Sequence, residues 1–158
     1  MNRFESKVAI VTGAGCVGTG WGNGRAMAVR LAQEGAKVLA VDRDPARLAE
    51  TLERAGDAAG SIVACECDVT SAASVKAMVA KCLEAFGTID ILINNVGGSA
   101  KGGPVEMSEE VWDSQVDFNL KSVFLTCKHV LPTLIAKKSG AIVNVASIQG
   151  LRGQPNSM

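Results

Sequence analysis

The sequence lacks net charge, long apolar runs and any dense cluster of metal-binding side chains. Its 158 residues carry 16 basic and 16 acidic side chains, and a chain without excess positive charge has no electrostatic grip on nucleic acid. No apolar run approaches the ~20 residues that cross a bilayer, and Cys65-Glu66-Cys67 lacks the spacing of common zinc and redox motifs. We therefore expect no nucleic-acid partner, no membrane partner and no bound metal, and a small molecule as the partner instead.

We also expect no secretory leader at the opening of the sequence. The charged residues 1–7 run directly into Val8-Ala9-Ile10-Val11, which leaves no room for a leader's apolar segment and cleavage site. The five cysteines are an odd number, and without a secretory signal we expect reduced thiols in a cytoplasmic protein. Hydrophobic residues make up 47% of the chain and charged residues 20%, which predicts a single folded domain over residues 1–158.

Short runs rich in Val and Ile alternate with longer segments of helical period. This alternation is typical of repeated βαβ units, in which a parallel sheet is covered by helices on both faces. Because each run is bounded by Gly, Asp, Asn or Ser, we predict strands near residues 7–12, 37–41, 62–66, 90–94 and 140–146.

Helices are predicted in the gaps between these strands. They begin near Arg25, at Pro45, after a cap at Thr70, and near Ser108. The first ends at about Glu34, with Gly35 as its stop, and the second runs toward Ala58. The fourth continues to Leu131, where Pro132 is expected to kink or shorten it.

Residues 8–25 form a strand that leads through a glycine-rich turn into a helix. Glycines let the backbone approach a pyrophosphate, and the unpaired N–H groups and dipole at a helix start stabilise its negative charge. A plain turn is the alternative, but the placement between strand and helix favours phosphate binding. The candidate cofactor-binding residues here are Thr12, Gly13, Gly18, Gly22, Asn23 and Gly24.

Asp42 ends the second predicted strand. A carboxylate at this position accepts hydrogen bonds from the adenosine ribose hydroxyls and repels a 2′-phosphate, which favours NAD over NADP. An ordinary strand-end aspartate is the alternative. The adjacent Arg43 is a further candidate cofactor-binding residue, since it would tolerate a phosphate and so leaves NADP open.

The glycine-rich segment resembles the cofactor signature of the short-chain dehydrogenase/reductase family. Thr12-Gly13 followed by Gly18-x-x-x-Gly22-x-Gly24 carries the resemblance, although about five extra residues separate the Thr-Gly pair from the closing glycines. Which glycines contact phosphate is therefore open. The insertion contains Trp21, which either lies over the cofactor or packs against the first helix.

Four more elements match the family in the same order. The resemblance implies that Asp68 and Val69 bind adenine, and that Asn94-Asn95-Val96-Gly97 braces the sheet and lines the cofactor ribose. It implies two catalytic residues. Asn119 would hold a water of the proton relay, and Ser147, which closes the fifth predicted strand, would hydrogen-bond the substrate oxygen.

The resemblance implies a Rossmann-type doubly wound α/β fold with a parallel sheet of order 3-2-1-4-5, without the last strands of the family's full sheet. The implied activity is hydride transfer between NAD(H) and an alcohol or ketone, in a homo-oligomer of two or four subunits. The family's catalytic Tyr is expected about thirteen residues after Ser147, just beyond Met158, with a Lys about four residues further. We therefore expect the 158-residue chain to be inactive. A non-catalytic nucleotide-binding module or regulatory subunit is the alternative.

Overall fold

The computed structural model describes residues 2–153, apart from the side chains of residues 59 and 60. One parallel sheet has the order β3-β2-β1-β4-β5, which confirms the predicted doubly wound arrangement. Its strands are β1 (Val8–Thr12), β2 (Lys37–Asp42), β3 (Ile62–Glu66), β4 (Ile91–Asn94) and β5 (Ala141–Asn144). In the centre of the sheet, Ile10 is in register with Leu39 on one side and Leu92 on the other.

Helices connect the strands and cover the sheet. They are α1 (Asn23–Gln33), α2 (Pro45–Ala55), α3 (Ala72–Phe86), α4 (Glu109–Val116) and α5 (Ser122–Lys137). A 3₁₀ turn over Gly56–Ser61 follows α2, a π-helical turn over Asp117–Lys121 joins α4 to α5, and a 3₁₀ turn over Ile148–Gly150 follows β5. None of the helices within residues 2–153 is long and apolar enough to cross a membrane.

The core lies on both faces of the sheet, because alternate side chains of β1 point to opposite faces. Ala9 and Val11 belong to a cluster that contains side chains of α1 and α2. Val8 and Ile10 belong to a second cluster, formed with α3 and α5. A strand that is buried on both faces has no polar face, which explains why the strands are continuous apolar runs in the sequence.

Two helix starts differ from the prediction. The first helix begins at Asn23 rather than near Arg25, because the low helix propensity of Gly24 is outweighed by its packing against the end of β1. The cap of α3 is Ser71, whose hydroxyl accepts the N–H of Ser74 at 3.4 Å. The predicted cap, Thr70, instead donates its hydroxyl to Asp68 Oδ1 at 2.7 Å.

Three predicted ends were also wrong. The helix through Pro132 continues to Lys137, because the flanking Val130 and Leu134 are buried against the sheet and hold it. The second helix ends at Ala55, and the 3₁₀ turn takes the chain onward from there. The fifth strand ends at Asn144, so Ser147 does not close it but starts the 3₁₀ turn that follows.

Asp90, just before β4, links α5 to the end of the sheet at which β1 and β4 begin. Its Oδ2 accepts the backbone N–H of Val8 at 2.9 Å, and Oδ1 pairs with the Lys137 ammonium, which also donates to Ile89 O at 3.0 Å. Burial by itself would raise the pKa of Asp90, but the hydrogen bonds from Lys137 and Val8 outweigh it and hold that pKa below its usual range. The charged form of Asp90 therefore stabilises the folded protein.

This anchor predicts part of the acid sensitivity of the fold. A carboxyl with a lowered folded-state pKa contributes stability that is present above the unfolded-state pKa of about 3.9 and is lost as the pH falls through the folded-state pKa. Asp90→Asn is expected to flatten the decline in the free energy of unfolding from about pH 5 to pH 3. Urea unfolding at a series of pH values measures it, and Lys137→Gln should flatten the same region. An unchanged slope in both variants would contradict this role.

Candidate functional site

A cavity of about 820 Å³ lies where the carboxyl ends of β1 to β4 meet, which is where open α/β sheets bind ligands. Most of the predicted cofactor-binding residues line it, namely Gly13, Gly18, Gly22, Asn23, Gly24, Asp42, Arg43, Asp68, Val69, Asn95, Val96 and Gly97. Thr12, Asn94, Asn119 and Ser147 are not among the lining residues. The cavity is large enough for a nucleotide-sized ligand.

The start of α1 opens onto this cavity without a side-chain cap. Gly22 occupies the N-cap position and makes no side-chain hydrogen bond, and the first turn carries no acidic residue. The N–H groups of a first helical turn have no partner within the helix. This end of α1 can therefore bind an anion such as a phosphate through its backbone and its dipole.

The glycines of the loop have different structural roles. A Cβ on Gly24 would collide with the carbonyl oxygen of Gly13 and lie 2.6 Å from Asn95 Nδ2, so Gly24 lets α1 pack directly on the turn after β1. Gly13 has a φ of +64°, a conformation that glycine adopts without strain. A Cβ on Gly18 would meet nothing within 4 Å. Packing therefore requires Gly24 and leaves Gly18 unconstrained.

Arg25 follows the last glycine and is completely buried. Its guanidinium donates to Gly20 O at 2.6 Å, to Thr51 Oγ1 at 3.1 Å and to Glu50 Oε2 at 2.8 Å. The sequence reasoning missed this residue. One signal was available, since a cation in the first turn of a helix is opposed by the helix dipole and needs a specific partner.

Trp21 is placed differently from both alternatives that the sequence left open. Its ring lies beside the guanidinium of Arg54 on α2, with 5.6 Å between the guanidinium carbon and the ring centre. The side chain is 57% exposed and is not among the residues that line the cavity. Trp21 therefore packs against α2, and the part of the loop that lines the cavity is Gly15, Cys16, Val17 and Gly18.

Asp42 is held rigidly at the end of β2. Its Oδ2 accepts the N–H of Gly15 at 3.0 Å, and its Oδ1 accepts the N–H of Asp44 at 3.1 Å. Arg43 and Arg47 also line this part of the cavity, and Arg47 pairs with Asp44 at 3.0 Å. The site therefore offers a fixed carboxylate with two cations beside it, and Arg47 is a lining residue that the sequence reasoning did not identify.

Asp68 follows β3 and is fixed by a tight turn. Its Oδ1 accepts the N–H of Thr70 at 2.9 Å and the Thr70 hydroxyl at 2.7 Å. These hydrogen bonds hold the pKa of Asp68 below its usual range, so the carboxylate is ionised at neutral pH. It can accept a hydrogen bond from a ligand in the cavity that it lines with Val69.

The two asparagines at the end of β4, Asn94 and Asn95, have different roles. Asn95 braces the glycine turn, since its Nδ2 donates to Gly13 O at 3.2 Å and its backbone N–H donates to Thr12 Oγ1 at 3.0 Å. The Thr12 hydroxyl in turn donates to Ile93 O at 3.2 Å. Thr12 is thus a buried link between β1 and β4. Of the two asparagines, only Asn95 also lines the cavity.

Asn94 points to the other side and joins β4 to β5 and α5. Its Nδ2 donates to Asn144 Oδ1 at 2.9 Å, and its Oδ1 accepts the Thr126 hydroxyl at 2.7 Å. Asn94 and Thr126 are both buried. The polar network of Asn94, Thr126 and Asn144 is a bracing element that the sequence reasoning identified only at Asn94.

Asn119 lies in the π-helical turn between α4 and α5, a type of irregularity that is frequent at functional sites. Its Oδ1 accepts the N–H of Gly98 at 2.9 Å, and its Nδ2 donates to Gln115 O at 3.0 Å. Ser147 follows the neighbouring strand, β5, where its Oγ accepts the N–H of Gln149 at 3.2 Å. Both side chains are exposed, and Asn119 lies beside the loop that leaves β4.

Known proteins share both the sequence and the fold. The family model for short chain dehydrogenases matches residues 7–158. A 3beta-hydroxysteroid dehydrogenase of Mediterraneibacter gnavus is 38% identical in an alignment 158 residues long, which covers 99% of this chain and 55% of that protein. The 3-oxoacyl-acyl-carrier-protein reductase FabG of Thermotoga maritima is 37% identical over 153 residues, 97% of this chain and 60% of the relative. The chain thus spans little more than half the length of these curated relatives.

Solved structures give the same result. A putative short-chain dehydrogenase/reductase from Burkholderia xenovorans superposes with a TM-score of 0.92 at 53% identity, over 96% of this chain and 60% of that one. A variant of actinorhodin polyketide ketoreductase, solved with NADPH, superposes with a TM-score of 0.87 at 34% identity, over 99% of this chain and 59% of the other. The chain belongs to the short-chain dehydrogenase family.

Proposed function

We propose that the protein is an oxidoreductase that transfers a hydride between NAD(H) and a small alcohol or ketone. The observation that carries the proposal is that one cavity is lined both by the fixed carboxylate of Asp42 and by the uncapped start of α1. A carboxylate binds ribose hydroxyls and a helix start binds phosphate, so the two together fit a dinucleotide. The nicotinamide ring of such a cofactor would supply or accept the hydride.

The remaining lining residues fit the other parts of the cofactor. The carboxylate of Asp68 would accept a hydrogen bond from the exocyclic amine of adenine, and the apolar atoms of Val69 would pack on the base. Asn95, Val96 and Gly97, which follow β4, would line the nicotinamide ribose. Gly22, Asn23 and Gly24 would present backbone N–H groups to the pyrophosphate.

Asn119 and Ser147 are the residues of this chain that we assign to the chemical step. Ser147 would donate its hydroxyl proton in a hydrogen bond to the substrate oxygen and stabilise the charge that develops there. Asn119 would hold a water of the proton relay. Support comes from the position of Asn119 beside the loop that leaves β4 and from that of Ser147 after β5. Active sites of open α/β sheets form at the carboxyl ends of the strands.

The charge of Asp42 predicts the choice of cofactor. We expect NADH to bind at least about tenfold more tightly than NADPH, because the carboxylate repels a 2′-phosphate. Asp42→Asn keeps an oxygen acceptor but removes the charge, so it should narrow this ratio mainly by improving NADPH binding. Fluorescence titration of the unaltered protein and of this variant measures both affinities.

The matched control is Asp57→Asn, which changes an exposed carboxylate that lies in the 3₁₀ turn after α2 and does not line the cavity. It should leave the preference for NADH over NADPH in place. Arg43 and Arg47 favour the opposite outcome, since two cations beside the ribose site are suited to a phosphate. Equal or tighter binding of NADPH by the unaltered protein would show that these arginines outweigh Asp42.

Nucleotide binding without turnover is the second candidate function. The 158 residues contain no tyrosine, so these residues by themselves lack the group to which the resemblance assigns the proton transfer. The intact mass of the protein purified from its natural source, followed by an assay of NAD-linked alcohol oxidation, separates the two functions. A mass near 16.3 kDa with NADH binding and no turnover would favour the second.

We expect the protein to be a homo-oligomer. The outer side of the α4–α5 segment exposes large apolar side chains, with Leu120, Phe124 and Ile135 each more than half exposed. Such a surface favours association with another protein surface. Sedimentation of the purified protein would test this, and a monomer at micromolar concentration would argue against it.

We also propose a cytoplasmic location. The cysteines are free thiols, as a reducing compartment requires.

A further inference from the structure

The expanded loop over residues 14–20 is tied to the rest of the protein close to both of its ends. At the first end, the Thr51 hydroxyl donates to Ala14 O at 2.8 Å. At the other end, the Arg25 guanidinium donates to Gly20 O at 2.6 Å. Between these ties the loop is loosely held, since Val17 is 89% exposed and a Cβ on Gly18 would meet nothing within 4 Å.

The two donors form one buried unit. Arg25 and Thr51 are both completely buried, and Arg25 Nε donates to Thr51 Oγ1 at 3.1 Å. The guanidinium reaches α2 through Glu50 Oε2 at 2.8 Å and Arg47 O at 3.3 Å. Only a planar fork of several donors can make these contacts together, so a lysine ammonium cannot replace it.

The loop itself has little intrinsic order. Gly15, Gly18 and Gly20 make many backbone conformations accessible, and Gly20 has a φ of +101°. Fixing such a segment when a ligand binds costs conformational entropy. Ties that already fix the ends of the loop in the free protein remove part of that cost.

We infer that Arg25 and Thr51 are positioning residues, which hold the expanded loop in the conformation that receives the cofactor's pyrophosphate. The inference rests on the proposed function. The loop residues Gly15, Cys16, Val17 and Gly18 line the cavity next to the start of α1, where the phosphates would bind. Asp68, which would bind adenine, is fixed by its own turn, and Asp42 keeps the hydrogen bond from Asp44 N–H when it loses the one from Gly15 N–H of the loop. Loosening the loop should therefore act on the diphosphate far more than on adenosine.

Ligand fragments test this separation. Arg25→Lys keeps the charge and loses the fork, so it should weaken ADP-ribose binding about tenfold, the usual size of a lost charged hydrogen bond, and change adenosine binding by no more than about twofold. Thr51→Val removes the hydroxyl at constant shape and should weaken ADP-ribose several-fold. Thr51→Ser keeps the hydroxyl and should restore the affinity. Calorimetry measures ADP-ribose, and NMR titration measures adenosine.

Cysteine alkylation gives a readout that needs no ligand. Cys16 is the half-buried thiol of the loop, whereas Cys65, Cys67 and Cys82 are buried, and burial raises their pKa values, that of Cys82 to about 12. In Arg25→Lys and Thr51→Val, the alkylation rate of Cys16, followed by peptide mass spectrometry, should rise several-fold. The rates of the buried thiols and of Cys127 on α5 should stay constant.

Several outcomes would overturn the inference. Equal weakening of ADP-ribose and adenosine would mean that the substitutions disturb the fold generally, and an unchanged Cys16 rate would mean that the loop is not held by these ties. If Arg25→Lys also exposes the buried thiols, the comparison of Thr51→Val with Thr51→Ser decides. Failure of the unaltered protein to bind ADP-ribose and NADH would reject the proposed function, whereas the alkylation rates would still test the ties.

Discussion

Gly24→Ala is expected to lower the free energy of unfolding by about 3 kcal/mol or more and to abolish NADH binding by the protein that remains folded. The added Cβ would collide with Gly13 O and lie 2.7 Å from the Gly13 carbonyl carbon. These are backbone atoms at the end of the central strand, so they cannot turn away as a flexible side chain would. The start of α1 must move off β1, and the phosphate-binding end of the cavity moves with it.

Gly18→Ala is the matched control in the same loop. Its Cβ would meet no heavy atom within 4 Å, so its free energy of unfolding should stay within about 0.5 kcal/mol of the unaltered protein. Urea unfolding followed by circular dichroism compares the two variants, and NADH titration compares their binding. Equal stability of the two would mean that α1 does not pack on the Gly13 turn as closely as the structure has it.

The strands could be predicted because their signal is redundant, whereas the resemblance to the short-chain dehydrogenase/reductase family supplied their order. Ala9 and Val11 face one helical layer and Val8 and Ile10 the other, so these four residues of β1 must be apolar, and β2 repeats this pattern over residues 38–41. Short apolar runs that alternate with helical segments leave few topologies with right-handed connections. No single residue had to be interpreted correctly for the fold to follow.

The contacts within the loop could not be predicted in the same way. The partners of Arg25 are the carbonyl of Gly20 and three residues of α2, and backbone carbonyls leave no trace in a sequence. The choice between Ser71 and Thr70 as the cap of α3 depends on which hydroxyl Asp68 takes. Ser147 was assigned to the strand because Val145 and Ala146 continue the apolar run, although the strand ends at Asn144.

The bracing network at Asn94 gives the second large expected effect. Asn94→Leu is nearly constant in volume but removes the acceptor of the Thr126 hydroxyl and the donor to Asn144. The Thr126 hydroxyl keeps Ser122 O as an acceptor, but the buried Asn94 side chain loses two hydrogen bonds of about 1 kcal/mol each, so the free energy of unfolding should fall by about 2 kcal/mol. A double-mutant cycle with Thr126→Val should give a coupling energy of about 1 kcal/mol, measured by urea unfolding.

The same variant separates the two roles of the double asparagine. Asn94 does not line the cavity, whereas Asn95 both lines it and holds Gly13 O. Asn94→Leu should therefore destabilise the protein while the folded fraction keeps its affinity for NADH, and Asn95→Leu should weaken NADH binding as well. If Asn94→Leu weakened binding as much as Asn95→Leu does, the network on the β5 side would have to contribute to the cofactor site, and stability and binding could not be assigned to separate asparagines.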